Sequence, residues 1–262
     1  RKNYDTPLSM NVTVLTNKGS FYGKKIVLAL RRSGIAVSVV VVHQSLSYKV
    51  RLFLSVVRRV GLFDALKLSF QRIMDGYKEY TRVQRENPEL LKDYPQLCKK
   101  TAISKGTNFA DTELALKNFG TDLLVLGQAG IVRQNVLQIP KIGVLNGHPG
   151  ILPFYRGIDC PHWALLNGDY DKIGASVHWV DKGIDTGRII TTQKFAGKGI
   201  KEVSILEERI YDLCSEMIAD VVVEISNGKH LEGIPQIVNE GQQYYKMSCK
   251  DLNTLKTTLQ SF

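Results

Sequence analysis

No run of about 20 apolar residues occurs in this chain of 262, so no membrane-spanning helix is expected. Cysteine is sparse: Cys98, Cys160, Cys214 and Cys249 lie far apart and form no Cys-x-x-Cys pair. That argues against a disulfide framework or a zinc site and for reduced thiols in a reducing compartment. No two of the histidines have metal-ligand spacing, so no metal is expected. Gly-x-Gly-x-x-Gly is also absent, which argues against a nicotinamide dinucleotide. There is no internal repeat, no low-complexity segment and no secretory leader in the polar stretch 1–9 before Met10, and the expected location is the cytoplasm. Acidic residues are the last shortage: 25 against 35 basic leave a net charge of +10. Such a balance suits a phosphorylated or polyanionic partner, or simply a basic soluble surface.

What is present reads as one α/β domain with an appendage. Val12 to Leu15 is a β-branched run, Phe21 to Arg32 has helical spacing at Ile26, Val27 and Leu30, and Ile35 to Val42 is continuously apolar. Strand, helix, strand predicts a right-handed βαβ unit whose strands are covered on both faces. Thr101 to Ser104 and Thr121 to Leu126 predict further strands, with a helix over Asn108 to Phe119 between them. A helix from Pro161 to Asn167, strands Ile173 to Val180 and Arg188 to Phe195, and a long helix from Val203 to Ser226 follow. The tail predicts two short strands that pair, Ile234 to Val238 and Gln243 to Met247, and a helix from Leu252 to Leu259. The expected fold is a Rossmann-like, doubly wound, mostly parallel sheet. Its catalytic domain covers residues 10–196 and a short C-terminal extension covers 197–262.

Residues 45–85 stand apart. Leu52, Val56, Val60, Phe63, Leu66 and Phe70 make a helical stripe that breaks at Gly61, and nine basic residues face three acidic ones, a net +6. Apolar stripes usually pack on a core, so the expectation is an inserted helical pair with a solvated charged face. A basic amphipathic helix can also lie on an anionic membrane or hold RNA. Gly19-Ser20 opens the first helix and offers free N–H groups to an anion, although a plain helix cap explains it too.

The stretch from Asn146 to Gly157 organises the rest. Asn146 and His148 close an apolar run, and alternate strand residues point the same way, so carboxamide and imidazole share one face. Pro149, Gly150, Pro153 and Gly157 then impose a rigid turn. Val180 to Gly187 brings a second loop with a carboxylate, Asp185. Taken singly, a histidine after a strand is more often structural, and an Asp in Asp-x-Gly is commonly a turn residue. His178 and His162 read as structural or as lining an acceptor site. Arg156 and Arg188 read as surface arginines or as partners for an acceptor carboxylate or phosphate.

Together these segments are more specific. Asn-x-His-Pro-x-x-Leu-Pro, then Arg-Gly, then Gly-x-x-x-His before Asp-x-Gly resembles the formyltransferase family that uses 10-formyltetrahydrofolate. The likeness runs from about Val12 to Phe195. It departs from the family pattern at Gly147, where an apolar residue is usual, and at Gly150, where serine or histidine is usual.

The resemblance implies formyl transfer to a primary amine. Asn146 would be the oxyanion donor, His148 the acid–base or electrostatic partner, and Asp185 its orienting carboxylate, which would raise the imidazole pKa. The co-substrate 10-formyltetrahydrofolate would lie against Gly130, Ile131, Val132, Arg133, Val180, Asp181 and Gly183, and the acceptor near Gly19, Ser20 and Arg156. The expected acceptor is a small-molecule amine, phosphorylated or nucleotide-linked, with an amino-sugar nucleotide favoured. Glycinamide ribonucleotide, methionyl-tRNA and, with water as acceptor, formyltetrahydrofolate hydrolysis are the alternatives. Neither a membrane nor nucleic acid is expected as partner, and a homodimer is compatible with the sequence. The tail is expected to be too short for the extra barrel domain of methionyl-tRNA formyltransferases, and the lead-in too short for the hydrolase's additional domain.

Overall fold

The computed structural model describes residues 10–44, 46–195 and 202–260. The polar lead-in, Ser45 and the expected boundary at 196–197 lie outside the described residues.

Short runs of β-branched and other apolar residues form the centre. Strands β1 (Val12–Asn17), β2 (Val37–Val42) and β4 (Leu123–Gly127) are buried nearly throughout. With β3 (Lys100–Ser104) and β5 (Gly143–His148) they pair in parallel. β7 (Gly174–Trp179) and β8 (Ile189–Lys194) extend the sheet antiparallel, giving the order β3-β2-β1-β4-β5-β7-β8. The chain builds outward from β1 to β3, then resumes at β4 on the other side of β1. The strand order therefore reverses at β1 and β4, and a crevice opens at their carboxyl ends.

Strand alternation divides the core into two layers. Val12 and Val14 face helices α1 (Phe21–Arg32) and α8 (Val203–Ser226), while Leu15, Leu124 and Leu126 face α5 (Ala110–Asn118) and α6 (Gln134–Leu137). Helix α1 approaches the sheet closely because Gly23 and Gly127 lack side chains: a Cβ on Gly127 would lie 2.9 Å from the Gly23 Cα. Thr16 seals this contact by donating to the Gly127 carbonyl at 2.7 Å.

Two expectations need correction. The tail strands do not pair with each other. β6 (Tyr155–Gly157) pairs in parallel with β9 (Gln242–Tyr244), and Ile234 makes an isolated bridge with Ile189. A 3-10 turn over Val238–Glu240 turns the chain between them. Helix α7 (Cys160–Leu166) and the terminal helix α9 (Cys249–Gln260) close this side.

The second correction concerns the insert. It is a helical pair, α2 (Leu46–Val60) and α3 (Leu62–Glu86), broken at Gly61 with φ +85°. Its stripe does not pack on the core, however. Phe63, Leu66 and Phe70 are exposed, while Val56 and Val60 are half-buried; the Leu52 side chain lies outside the described residues. The reason is leverage: among the described residues the base of α3 is what holds the pair to the body, through buried Val83 and an Arg82–Glu208 ion pair of 3.0 Å. A 3-10 turn (Pro88–Leu91) and the short α4 (Tyr94–Leu97) then lead back to the sheet. Among the described residues no helix is long and apolar enough to cross a membrane.

Candidate active site

A cleft of about 550 Å³ occupies the crevice, within the size range of small-molecule sites. Its floor is the end of β5. Asn146, Gly147 and His148 line it, and so do His178 of β7 and Asp185 of the loop before β8. Antiparallel register sets Asn146 directly opposite His178, so two sequence-distant polar residues meet as a cross-strand pair.

Asp185 connects the group. Its Oδ2 lies 3.4 Å from His148 Nδ1 and accepts the Gly157 N–H at 2.9 Å. Its Oδ1 lies 3.6 Å from His178 Nε2 and accepts from Asn146 Nδ2 at 3.4 Å. The residue holds φ +52°, a left-handed conformation that is strained for a non-glycine. Gln236 donates to its carbonyl at 3.0 Å and holds the loop.

Hydrogen bonds assign the tautomers. His178 Nδ1 donates to the Trp179 carbonyl at 2.8 Å, and its Nε2 stands 3.2 Å from Asn146 Nδ2. His148 Nε2 lies 2.7 Å from the Tyr155 carbonyl and donates to it, which leaves Nδ1 as the open nitrogen, aimed at Asp185. Burial lowers the His148 pKa below its ordinary 6.5 despite the opposing pull of Asp185; His178 adds to the lowering. This overturns the expected raised value, because an imidazole only 2 % exposed loses more hydration than one carboxylate returns. The Asp185 carboxyl moves the other way. Burial works to raise it, but His148, His178 and the Gly157 N–H together hold it well below the usual range.

Chemically, the arrangement is a neutral imidazole with one open nitrogen, backed by a stable carboxylate, beside an oriented amide donor. The amide's two contacts are long, so it remains available to a stronger acceptor. His178 was readable from the sequence only as structural or acceptor-lining. Its Gly-x-x-x-His setting was visible, but the register that delivers it to Asn146 was not.

One wall of the cleft is the loop after β4. Gly130, with φ +77°, Ile131 and Val132 line it. Asn108 pins that loop, donating to the Ile131 carbonyl at 2.8 Å and accepting the Arg133 N–H at 2.6 Å. Val180, Asp181 and Gly183 line the cleft nearby. Arg133 itself does not; it precedes α6 as its N-cap.

Gly19, Ser20 and Arg156 also lie outside the lining. Ser20 is buried. Its hydroxyl caps α1 by accepting the Gly23 N–H and donates to Gln128 Oε1 at 2.9 Å. Arg156 donates to the Val238 carbonyl, and Arg188 is spent on Glu232 and the Gly233 carbonyl.

The opposite wall joins Gly157, Asp159, Glu207, Tyr211, Tyr244 and Tyr245. Asp159, His162 and Glu207 bring donor atoms within 4.8 Å of one another, a convergence that sequence spacing does not reveal because Glu207 arrives from α8. Lys246 Nζ, 2.9 Å from Asp159 Oδ1, already supplies a cation there. His162 Nε2 stands 3.6 Å from Glu207, but burial lowers its pKa to about 4, so at neutral pH this contact is not an ion pair.

The two departures at Gly147 and Gly150 have physical causes. A Cβ on Gly147 would meet Tyr22 Oη at 2.5 Å and Ile218 Cδ1 at 2.6 Å, and the Tyr22 hydroxyl donates to the Gly147 carbonyl at 2.9 Å. The space an apolar side chain would take is filled from α1 and α8. A Cβ on Gly150 would lie 2.8 Å from His148 Nε2, within the bond that holds the imidazole.

A family model described as formyl transferase matches residues 79–230. A methionyl-tRNA formyltransferase of Flavobacterium johnsoniae is 27% identical over 169 residues, covering 64% of this chain and 53% of its own length. The chain thus spans about half the length of that curated relative. Among solved structures, glycinamide ribonucleotide transformylase 1 of Symbiobacterium toebii superimposes with a TM-score of 0.55 at 18% identity, covering 87% of this chain and 94% of that one. A sugar N-formyltransferase of a Shewanella species gives 0.56 at 11% identity, over 95% and 88%. These likenesses establish the common fold.

Proposed function

We propose, since this chain belongs to the formyl transferase family, that it moves a formyl group from 10-formyltetrahydrofolate to a primary amine in the β4–β5 cleft. The observation that carries this reading is the convergence of Asn146, His148 and Asp185 at the end of one buried strand. His148 takes the proton of the attacking amine at Nδ1, the nitrogen left open by the Tyr155 bond, and returns it to N10 of the folate as the tetrahedral intermediate collapses, so that the C–N10 bond breaks and tetrahydrofolate leaves. Asp185 stabilises the imidazolium so formed. Asn146 donates to the oxygen that gathers charge as the amine attacks, and a neutral amide does so without titrating. The Gly130 to Val132 backbone and the Val180 to Gly183 loop line the part of the cleft that would hold the flat ring of the co-substrate, and Gly130 lets the backbone approach it closely.

For the acceptor we favour an amino-sugar nucleotide. The wall facing the folate side carries Tyr211, Tyr245 and Glu207, polar side chains that suit sugar hydroxyls. Exposed Tyr245, beside Tyr244 held between Tyr155 and Trp163, offers a ring for a sugar or base. Methionyl-tRNA is the second reading, favoured by the named relative and by the net charge of +10. The test is consumption of 10-formyltetrahydrofolate against a panel of amino-sugar nucleotides, glycinamide ribonucleotide and methionyl-tRNA. Turnover with a sugar nucleotide supports the favoured acceptor, turnover with tRNA alone replaces it, and formyl loss to water with no amine added refutes transfer.

A further inference from the structure

Helix α3 carries an apolar stripe with no partner among the described residues. Phe63, Leu66, Phe70, Ile73, Tyr77 and Tyr80 recur at alternating steps of three and four, which keeps them on one face of a helix. Each is between 47% and 80% exposed. Isolated exposed apolar residues are ordinary; a continuous row of six marks a contact surface. On α2, Val50 and Leu54, four apart, are exposed as well.

The charges around the row are sorted. At helical periodicity, Lys67 and Lys78 fall about a quarter-turn from the stripe, while Asp64, Glu79 and Glu86 fall on the far side together with Arg72 and Arg82, and Arg85 pairs with Glu86 at 2.6 Å. On α2 the exposed Arg51 and Arg58 add to the basic side. An apolar, aromatic-rich face bordered on one side by lysine, with the acids of its helix on the far side, is the pattern of a helix that lies in a membrane interface. A second copy fits less well, because each hairpin, Leu46 to Glu86, carries nine basic and four acidic residues, a net +5, and two would meet with like charge.

We propose that the α2–α3 hairpin docks this protein on an anionic lipid bilayer. The row of aromatic and aliphatic side chains enters the headgroup boundary and the flanking bases pair with acidic headgroups. The anchored base of α3, at Val83 and the Arg82–Glu208 pair, keeps the hairpin attached to the body that carries the cleft.

The test is co-sedimentation of the whole chain with phosphatidylcholine vesicles made with and without phosphatidylserine. The expected result is binding to the serine-lipid vesicles, weakened by high salt, and at least roughly tenfold weaker for the neutral vesicles. Phe70→Ser/Ile73→Ser lowers binding by roughly tenfold or more, Lys67→Glu/Lys78→Glu does likewise, and both leave formyl-donor consumption unchanged. Failure of the unaltered chain to bind either vesicle overturns the proposal. So does equal binding to both, binding that survives the serine pair, or a dimer in sedimentation analysis that the serine pair converts to monomer.

Discussion

His148 Nδ1 and Asp185 Oδ2 face one another at 3.4 Å, with the imidazole almost fully withdrawn from water. Burial keeps the ring neutral and the carboxylate waits opposite the one nitrogen that can gain a proton. In the proposed transfer, a base of this kind would accept the amine proton without being charged beforehand.

The pH–rate profile follows from that pair. With the His148 pKa lowered, kcat/KM holds steady to below 6.5 on the acid side before it falls. Asp185→Asn removes the influence that opposes the lowering. Its acid limb moves to still lower pH, and kcat drops by roughly 10²–10⁴ with KM nearly unchanged. Initial rates across pH for both proteins check this.

His178 acts on Asn146 without needing to touch the substrate. His178→Ala frees the amide that Nε2 now holds at 3.2 Å, and kcat is expected to fall by roughly tenfold while KM for the folate stays level. An unchanged kcat would remove His178 from the site.

Gly147 is required by packing. Gly147→Ala drives a methyl into Tyr22 Oη and Ile218 Cδ1, with an expected loss of about 1–3 kcal/mol in urea unfolding. Adding Ile218→Ala opens room on one side, so the double variant should lose less than the two single losses combined.

Stability should fall with acid through His162. Its pKa is about 4 in the fold, as burial outweighs the opposing Asp159, against 6.5 unfolded. The unfolded chain therefore binds more protons between those values. The contribution is complete above 6.5 and is lost as pH drops toward 4, by up to about 1.4 kcal/mol per pH unit. His162→Asn should flatten that slope in a pH series of thermal melts.

Long periodic elements were legible in the sequence. The limits of α1 and α8 agree with their apolar spacing, and the central strands follow from continuous β-branched runs. What escaped depends on distant pairing. The three-residue strands β6 and β9 meet across more than eighty positions and carry no alternation to announce it. His178 joins Asn146 only through the antiparallel register of β5 and β7. Arg188 looked available for a ligand because nothing local reveals the Glu232 side chain and Gly233 carbonyl it bonds. The insert's helices were plain, yet whether an amphipathic stripe meets a core or solvent depends on where the hairpin is anchored.

Amine-dependent loss of the formyl donor, measured side by side for the unaltered chain and for His148→Ala, is the most direct trial of the proposed chemistry. Turnover that requires the amine and falls by at least roughly 10² in the variant is the expected result. Equal rates in the two proteins, or formyl release indifferent to added amine, would contradict it.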